Sequence, residues 1–218
     1  MANPSSIGAA RSVPDGVGLG RLLQQGGGIK FLAAAAITYG VACLLQGDFA
    51  IYWQLVPPGL PFRIPLAYLS ACLLVLGGAG LLAARTRRSA AILLLVLFAI
   101  YDTFAIWKLI SNVIGPPKKP QGFLGVAEET AVVIGCWAIL LQMRQAGRAS
   151  VATARIGFGL CSIIFALAHV VALTTTASMV PAWVPGSQVF WAIATGIGHL
   201  AVAIALLANR LAILATRL

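Results

Sequence analysis

The chain has 218 residues, 60% of them hydrophobic and 9% charged. About a quarter of an average soluble domain is charged, so this composition excludes a water-covered globule and makes lipid the solvent of the outer surface. The net charge of +10 would suggest nucleic acid in a soluble protein, but here the basic residues lie mostly in short segments between apolar runs, which excludes that partner.

In chain order, residues 1–28 come first, with Pro4, Pro14, many Gly and Ser, and Arg11 and Arg21, but no long apolar core. They read as a flexible cytoplasmic tail and match neither a secretory signal nor a transit peptide. The "DGVGLG" within them lacks the GxGxxG spacing and follows no strand, so it does not read as a nucleotide loop.

Spanning about 30 Å of hydrocarbon takes about 20 apolar residues. Six runs qualify, at 29–47, 65–84, 89–110, 124–143, 154–174 and 188–208. Their length and continuity predict helices rather than barrel strands. The fold class is therefore all-α, a polytopic transmembrane bundle of about six spans. The final "NRLAILATRL" is too short to cross and reads as a tail or the start of a seventh helix.

With the amino terminus inside, Arg11, Arg21, Lys30, Arg85, Arg87, Arg88, Arg144, Arg148, Arg155, Arg210 and Arg217 fall on the cytoplasmic side. Arg63, Lys108, Lys118 and Lys119 fall opposite. That distribution follows the positive-inside bias. Trp53, Trp107, Trp183 and Trp191 then gather near the outer boundary, where indole rings favour the interface.

Two outer loops carry nearly the same phrase, "VPPGLP" at 56–61 and "VPAWVP" at 180–185, 124 residues apart. At that offset Val56, Pro57, Leu60 and Pro61 align with Val180, Pro181, Val184 and Pro185, and Leu76, Leu82 and Ala84 with Leu200, Leu206 and Ala208. Proline fixes its own φ and biases the residue before it to extended geometry, so each phrase makes a stiff, non-helical cap on the next helix. The offset spans four helices, an even number, and predicts a parallel internal repeat rather than an inverted one. On this reading residues 29–143 form a four-helix unit and 154–218 a partial second one, either by partial duplication or because the chain is truncated. Two unrelated Pro-rich loops are the simpler alternative.

Ionisable groups within spans are costly and usually face the bundle interior or a cavity. They are Asp102 and Lys108 in the third span, Glu128 and Glu129 opening the fourth, His169 in the fifth and His199 in the sixth. All six fall in the outer half or near mid-depth, which predicts a pocket open to the outer side. Its lining by carboxylates and imidazoles suits proton handling or a polar headgroup such as that of a quinone. Each residue also has a plainer role. Glu128 and Glu129 would complement a helix dipole, Lys108 would snorkel to the headgroups, Asp102 would make an interhelical hydrogen bond, and each histidine would be structural.

No cofactor motif is evident. Haem ligands must be level, whereas counting about 1.5 Å per residue from the outer ends sets His169 and His199 about 8 Å apart in depth. Cys43, Cys72, Cys136 and Cys161 lie one each in four runs, without the spacing of a zinc or thioredoxin-like site. Gly77, Gly78, Gly80, Gly157, Gly159, Gly196 and Gly198 permit close helix approach. No phosphate loop, nucleophile elbow or HExxH motif occurs.

The stretches "AYLSACLLVLGGAGLLAARTRR" (67–88), "GFGLCSIIFALAHVVAL" (157–173) and "MVPAWVPGSQVFWAIATGIGHLAVAIALL" (179–207) resemble the DoxX-like integral membrane family of bacteria. The resemblance implies a four-helix unit in the bacterial inner membrane. Some members of that family are membrane subunits of thiosulfate:quinone oxidoreductase or of redox-linked complexes. The chain departs from the pattern by carrying one and a half units and no recognisable redox cofactor motif, and no catalytic residue carries over. The expected functions are a quinone-associated or redox-complex subunit, a small-solute or proton permease, or a non-catalytic assembly partner. Homo-oligomers are compatible with each.

Overall fold

A computed structural model describes residues 27–50, 54–114 and 121–209. Nearly all of the expected tail, Trp53, the Lys118–Lys119 pair and the segment from Arg210 onward lie outside the described residues. Among the described residues all regular structure is helical: α1 Gly27–Gln46, α2 Arg63–Leu82, α3 Arg87–Ile114, α4 Gln121–Met143, α5 Arg148–Val171, α6 Leu173–Ser178 and α7 Gln188–Leu207. All except α6 are long and apolar enough to cross a membrane. In hydrocarbon every backbone N–H and C=O must be paired within the segment, which these sequences achieve as uninterrupted helices. Pro65 does not break α2 because it sits in the first turn, where its missing N–H would have had no helical partner.

The helix ends fall within four residues of the sequence expectation except at the start of α5. Helix α5 begins at Arg148 rather than 154, because Arg148, Ser150 and Thr153 are polar yet helix-compatible and bring the chain in from the turn at Gly147. It ends at Val171 rather than 174. Ala172 leaves helical geometry (φ −116°, ψ 38°) and the chain resumes as the short α6 before the second proline phrase.

Lipid tails are as apolar as leucine, so helices in a membrane associate through close packing rather than through escape from water. Helices α1 and α2 cross almost backbone to backbone: a Cβ added to Gly40 would stand 2.6 Å from Ala71 O, and one on Gly78 2.7 Å from Ala33 O. Successive helices pack antiparallel, α1 on α2, α2 on α3, α3 on α4 and α4 on α5, with α5 then paired to α7. The main core draws on α1 to α4 and the first proline loop, with Leu74, Leu81, Leu94, Tyr101 and Cys136 fully enclosed. All four cysteines are free, and all but Cys72 are buried.

The hairpins α1–α2 and α5–α7 share local features at spacings of 124 to 126 residues. In the loops, Leu60 N–H donates to Pro57 O (3.2 Å) and Val184 N–H to Pro181 O (3.0 Å), the same turn 124 residues on. Past the loop the spacing becomes 125. Helices α2 and α7 are each 20 residues long. Buried Ala67, Ala71, Gly78 and Leu81 correspond to buried Ala192, Gly196, Ala203 and Leu206. At the offset of 124 read from the sequence, Leu82, 53% exposed, would instead meet Leu206, 4% exposed. Between the phrase and the next helix the second hairpin has two residues, Gly186 and Ser187, where the first has Phe62 alone. In the first helix of each hairpin the spacing is 126, with buried Ala33, Ala36 and Gly40 matching buried Gly159, Ser162 and Ala166.

The ends of the bundle have different chemistry. At the end opposite the proline loops, Arg87 Nε donates to Leu81 O (3.1 Å), and Arg155 donates to the equivalent carbonyl, Leu206 O. Cations there complement the negative ends of α2 and α7. At the proline end, Arg63 Nε lies 2.9 Å from Asp48 Oδ1, while its Nη1 donates to Val56 O and Pro57 O, both at 2.9 Å. Its guanidinium also covers the Phe49 ring at 5.4 Å. This fork fixes the first proline phrase, which is flanked by two bulky residues in left-handed geometry, Leu55 (φ 47°) and Phe62 (φ 55°).

Candidate functional site

Helix α4 separates two polar regions near the proline-loop end, because Glu128 and Glu129 are successive residues and leave the helix about 100° apart. Glu128 lines a cavity of about 590 Å³ between α4, α5 and α7. His169 and His199 share that cavity, and residues of the second proline phrase close over it. Their rings are neighbours, with centroids 5.6 Å apart and planes inclined at 40°. The depth difference of about 8 Å expected from sequence is thereby corrected. It was counted from a span end at 174, whereas α6 carries the rising strand of the hairpin on to Ser178. Measured from that true top, the two histidines lie at similar depth.

His169 is positioned by two features. Its Nδ1 lies 2.8 Å from Phe165 O. A carbonyl only accepts, so Nδ1 carries the proton and a neutral His169 leaves Nε2 as an acceptor. On its other side Gly196 supplies no side chain, and a Cβ there would stand 2.8 Å from His169 Cβ. His199 packs against the Phe165 ring, at a centroid distance of 5.2 Å. His169 also borders an apolar groove of about 390 Å³ formed by α5 and α7 residues such as Leu167, Ile193 and Ile197.

On the other side of α4, Glu129 is 3% exposed, and its Oε2 has no hydrogen-bond partner among the described residues. It shares its surroundings with Asp102, Tyr39 and Tyr101. Asp102 does not reach the cavity; it accepts from Thr130 Oγ1 at 3.0 and 3.2 Å, the interhelical bond that was its plainer reading. Lys108 is exposed on α3. The five pocket candidates therefore share one depth zone but divide into Glu128, His169 and His199 in the cavity and Asp102 and Glu129 behind α4.

Several residues of the polar regions were not singled out from sequence. Gln54, fully buried in the first proline loop, accepts from Ala50 N–H at 2.7 Å and from Cys43 Sγ at 3.6 Å. The Tyr101 hydroxyl lies against Ser70 and Gln54, and its ring meets Phe98 edge-on at 5.8 Å. The available signals were a glutamine just ahead of a proline phrase and two tyrosines well inside apolar runs. Asp48 and Arg63, one on each side of the first phrase, were a further signal. Among the described residues no group of three or more His, Cys, Asp or Glu is arranged to hold a metal ion.

Comparison of the chain with family models, curated proteins and solved structures finds no match.

Proposed function

We propose that this multi-pass membrane protein binds the polar head of a small amphipathic molecule in the cavity between α4, α5 and α7. The class that fits is the quinone type, with the protein serving as a DoxX-like subunit of a redox-linked complex in a bacterial inner membrane, amino terminus in the cytoplasm. The observation that carries the reading is the convergence of Glu128, His169 and His199 on one cavity of about 590 Å³. That volume lies within the range of about 300–1,000 Å³ typical of small-molecule sites, which combine apolar walls with a few placed polar groups. Head and tail would part at His169, which borders both the cavity and the apolar groove on α5 and α7. The two equivalent hairpins are read as copies in a parallel, partial duplication.

The test is binding of a short-chain benzoquinone and its reduced form to the full-length protein in nanodiscs. Saturable binding that falls at least about tenfold in Glu128→Gln and in His199→Ala supports the reading, since a hydrogen bond to a charged group is worth about 1.5–3 kcal/mol. Binding unchanged in both variants removes the site. Labelling of single cysteines placed in the loop at 54–62 tests the orientation, and access only from the outer side is expected.

A second reading, a proton permease, draws on Glu129, whose enclosed oxygen has no hydrogen-bond partner among the described residues and lies near Asp102 and Glu128. Proton flux in proteoliposomes that disappears in Glu129→Gln supports it; no flux in the parent protein ends it.

A further inference from the structure

We propose that the cavity takes a phenolic ring, its hydroxyl donating into the cluster of Glu128, His169 and His199, in the place that Tyr101 fills in the core of the first hairpin. This rests on the reading of the cavity as an amphipath site and specifies the head that it selects.

The first argument is an account of donors. The Thr195 hydroxyl donates to Trp191 O at 2.8 Å, and the Thr176 hydroxyl lies 3.2 and 3.1 Å from Ala172 O and Leu173 O. Trp191 Nε1 donates to Pro185 O at 2.6 Å, and His169 Nδ1 to Phe165 O. All four groups belong to residues lining the cavity, and all four protons are spent on the protein's own backbone. What faces the space is chiefly acceptor: the carboxyl oxygens of Glu128, His169 Nε2 and the lone pairs of two threonine hydroxyls. His199 alone among these side chains keeps an N–H with no backbone partner among the described residues. Glu128, His169 and Thr176 are half-buried, and covering them with an occupant that brings no donor would leave acceptors unmatched, which is costly, so the cavity favours an occupant that brings one. A quinone carbonyl brings none, whereas a ring hydroxyl does.

The second argument is positional. In the first hairpin the phenol of Tyr101 lies among Cys43, Ser70 and Gln54, with Glu129 of α4 close by and Tyr39 beside that carboxylate. At the spacings that relate the buried faces, 126 in the first helix and 125 in the second, Tyr39, Cys43 and Ser70 correspond to Phe165, His169 and Thr195. Those three line the cavity, and Glu128 stands to them as Glu129 stands to the first set. Tyr101 comes from α3, and α3 has no counterpart among the described residues that pack on α5 and α7. Among the described residues the second hairpin thus presents the surroundings of a phenol with no tyrosine hydroxyl in them. The hydroxylated, reduced form of a quinone is one member of the class that would fill them.

The test uses the full-length protein in nanodiscs and three probes of matched shape: 4-heptylphenol, its methyl ether, and heptyl-1,4-benzoquinone. The phenol is expected to bind at least about tenfold more tightly than the ether and the quinone. That preference should disappear in His169→Ala, and Thr195→Phe, which places a ring of the protein's own in the space, should abolish binding. Should either variant fail to fold, the ratio of phenol to ether in the parent protein decides alone. Equal affinity for phenol and ether overturns the donor assignment while leaving the amphipath site standing. No binding of any of the three overturns both.

Discussion

Gly196 passes so close to His169 that a Cβ on it would stand 2.8 Å from His169 Cβ and 3.5 Å from its Cγ. The neighbour is the root of a side chain on a packed helix, so relief requires α5 and α7 to separate. Gly196→Ala should therefore cost about 1–3 kcal/mol, the usual penalty of overpacking. It should also shift the histidine pair at the same time. Thermal unfolding in detergent, together with the nitrogen shifts of labelled histidine, would check both effects. In contrast, a Cβ on Gly198 meets nothing within 4 Å, and Gly198→Ala should be tolerated.

Arg63 joins three parts of the first proline loop through Asp48, Val56 O and Pro57 O. Its planar fork is what allows one side chain to serve two directions, and an ammonium cannot reproduce that geometry. Arg63→Lys should lose most of what Arg63→Ala loses, about 1–3 kcal/mol for charge-assisted bonds of this type. Asp48→Asn should lose less, because the two backbone carbonyls still hold the guanidinium. Comparison of Tm for the three variants reads the order directly.

Asp102 and Glu128 lie at similar depth but serve different ends. Thr130→Val leaves Asp102 without its partner and should destabilise the α3–α4 pair by about 1–3 kcal/mol. Asp102→Asn, which can still bond Thr130, should unfold close to the parent and leave ligand binding in the cavity unchanged. Loss of binding in Asp102→Asn would show that the two polar regions are connected.

The spans and the depth of the polar groups were legible because both depend only on counting along a helix. Apolar length fixed six crossings, and Glu128, Glu129, His169 and His199 follow in depth from their distance to a span end. Which way each group points was not legible. Glu128 and Glu129 face opposite compartments because α4 is rotated by its packing on α3 and α5, and nothing local to the "AEET" stretch encodes that rotation. The histidine pairing was hidden by α6, a single polar turn, "LTTTAS", whose hydropathy reads as the end of a span rather than as its continuation. The extra residue between the second phrase and α7 was hidden likewise, since the proline phrases align without it and the apolar helices tolerate a slip of one.

Glu129 carries a carboxyl oxygen enclosed without a hydrogen-bond partner among the described residues. Enclosing an unpaired charge is expensive, so a neutral group of the same shape should be no worse. Glu129→Gln is expected to match or exceed the parent in Tm, whereas Glu129→Ala should lose about 2 kcal/mol or more through the void it leaves. A Glu129→Gln protein markedly less stable than the parent would mean that the carboxylate is paired.

Gly186 is where the second loop takes up the residue that changes the hairpin spacing from 124 to 125. Its φ of +94° lies in a region that side chains other than hydrogen rarely enter, and a Cβ there would stand 3.4 Å from Trp191 Nε1. That indole nitrogen donates to Pro185 O and so links the loop to the first turn of α7. Gly186→Ala should cost about 1–2 kcal/mol in backbone strain and disturb the indole bond. A change in Trp191 emission, read against a Trp191→Phe control, should accompany the loss of stability. Deleting Gly186 altogether would shorten the stretch between the second phrase and α7 to the single residue found before α2, but at the expense of the Trp191 bond and of the Ser187 cap on Phe190 N–H. The deletion should therefore be more damaging than the substitution, and the same unfolding measurement would rank them.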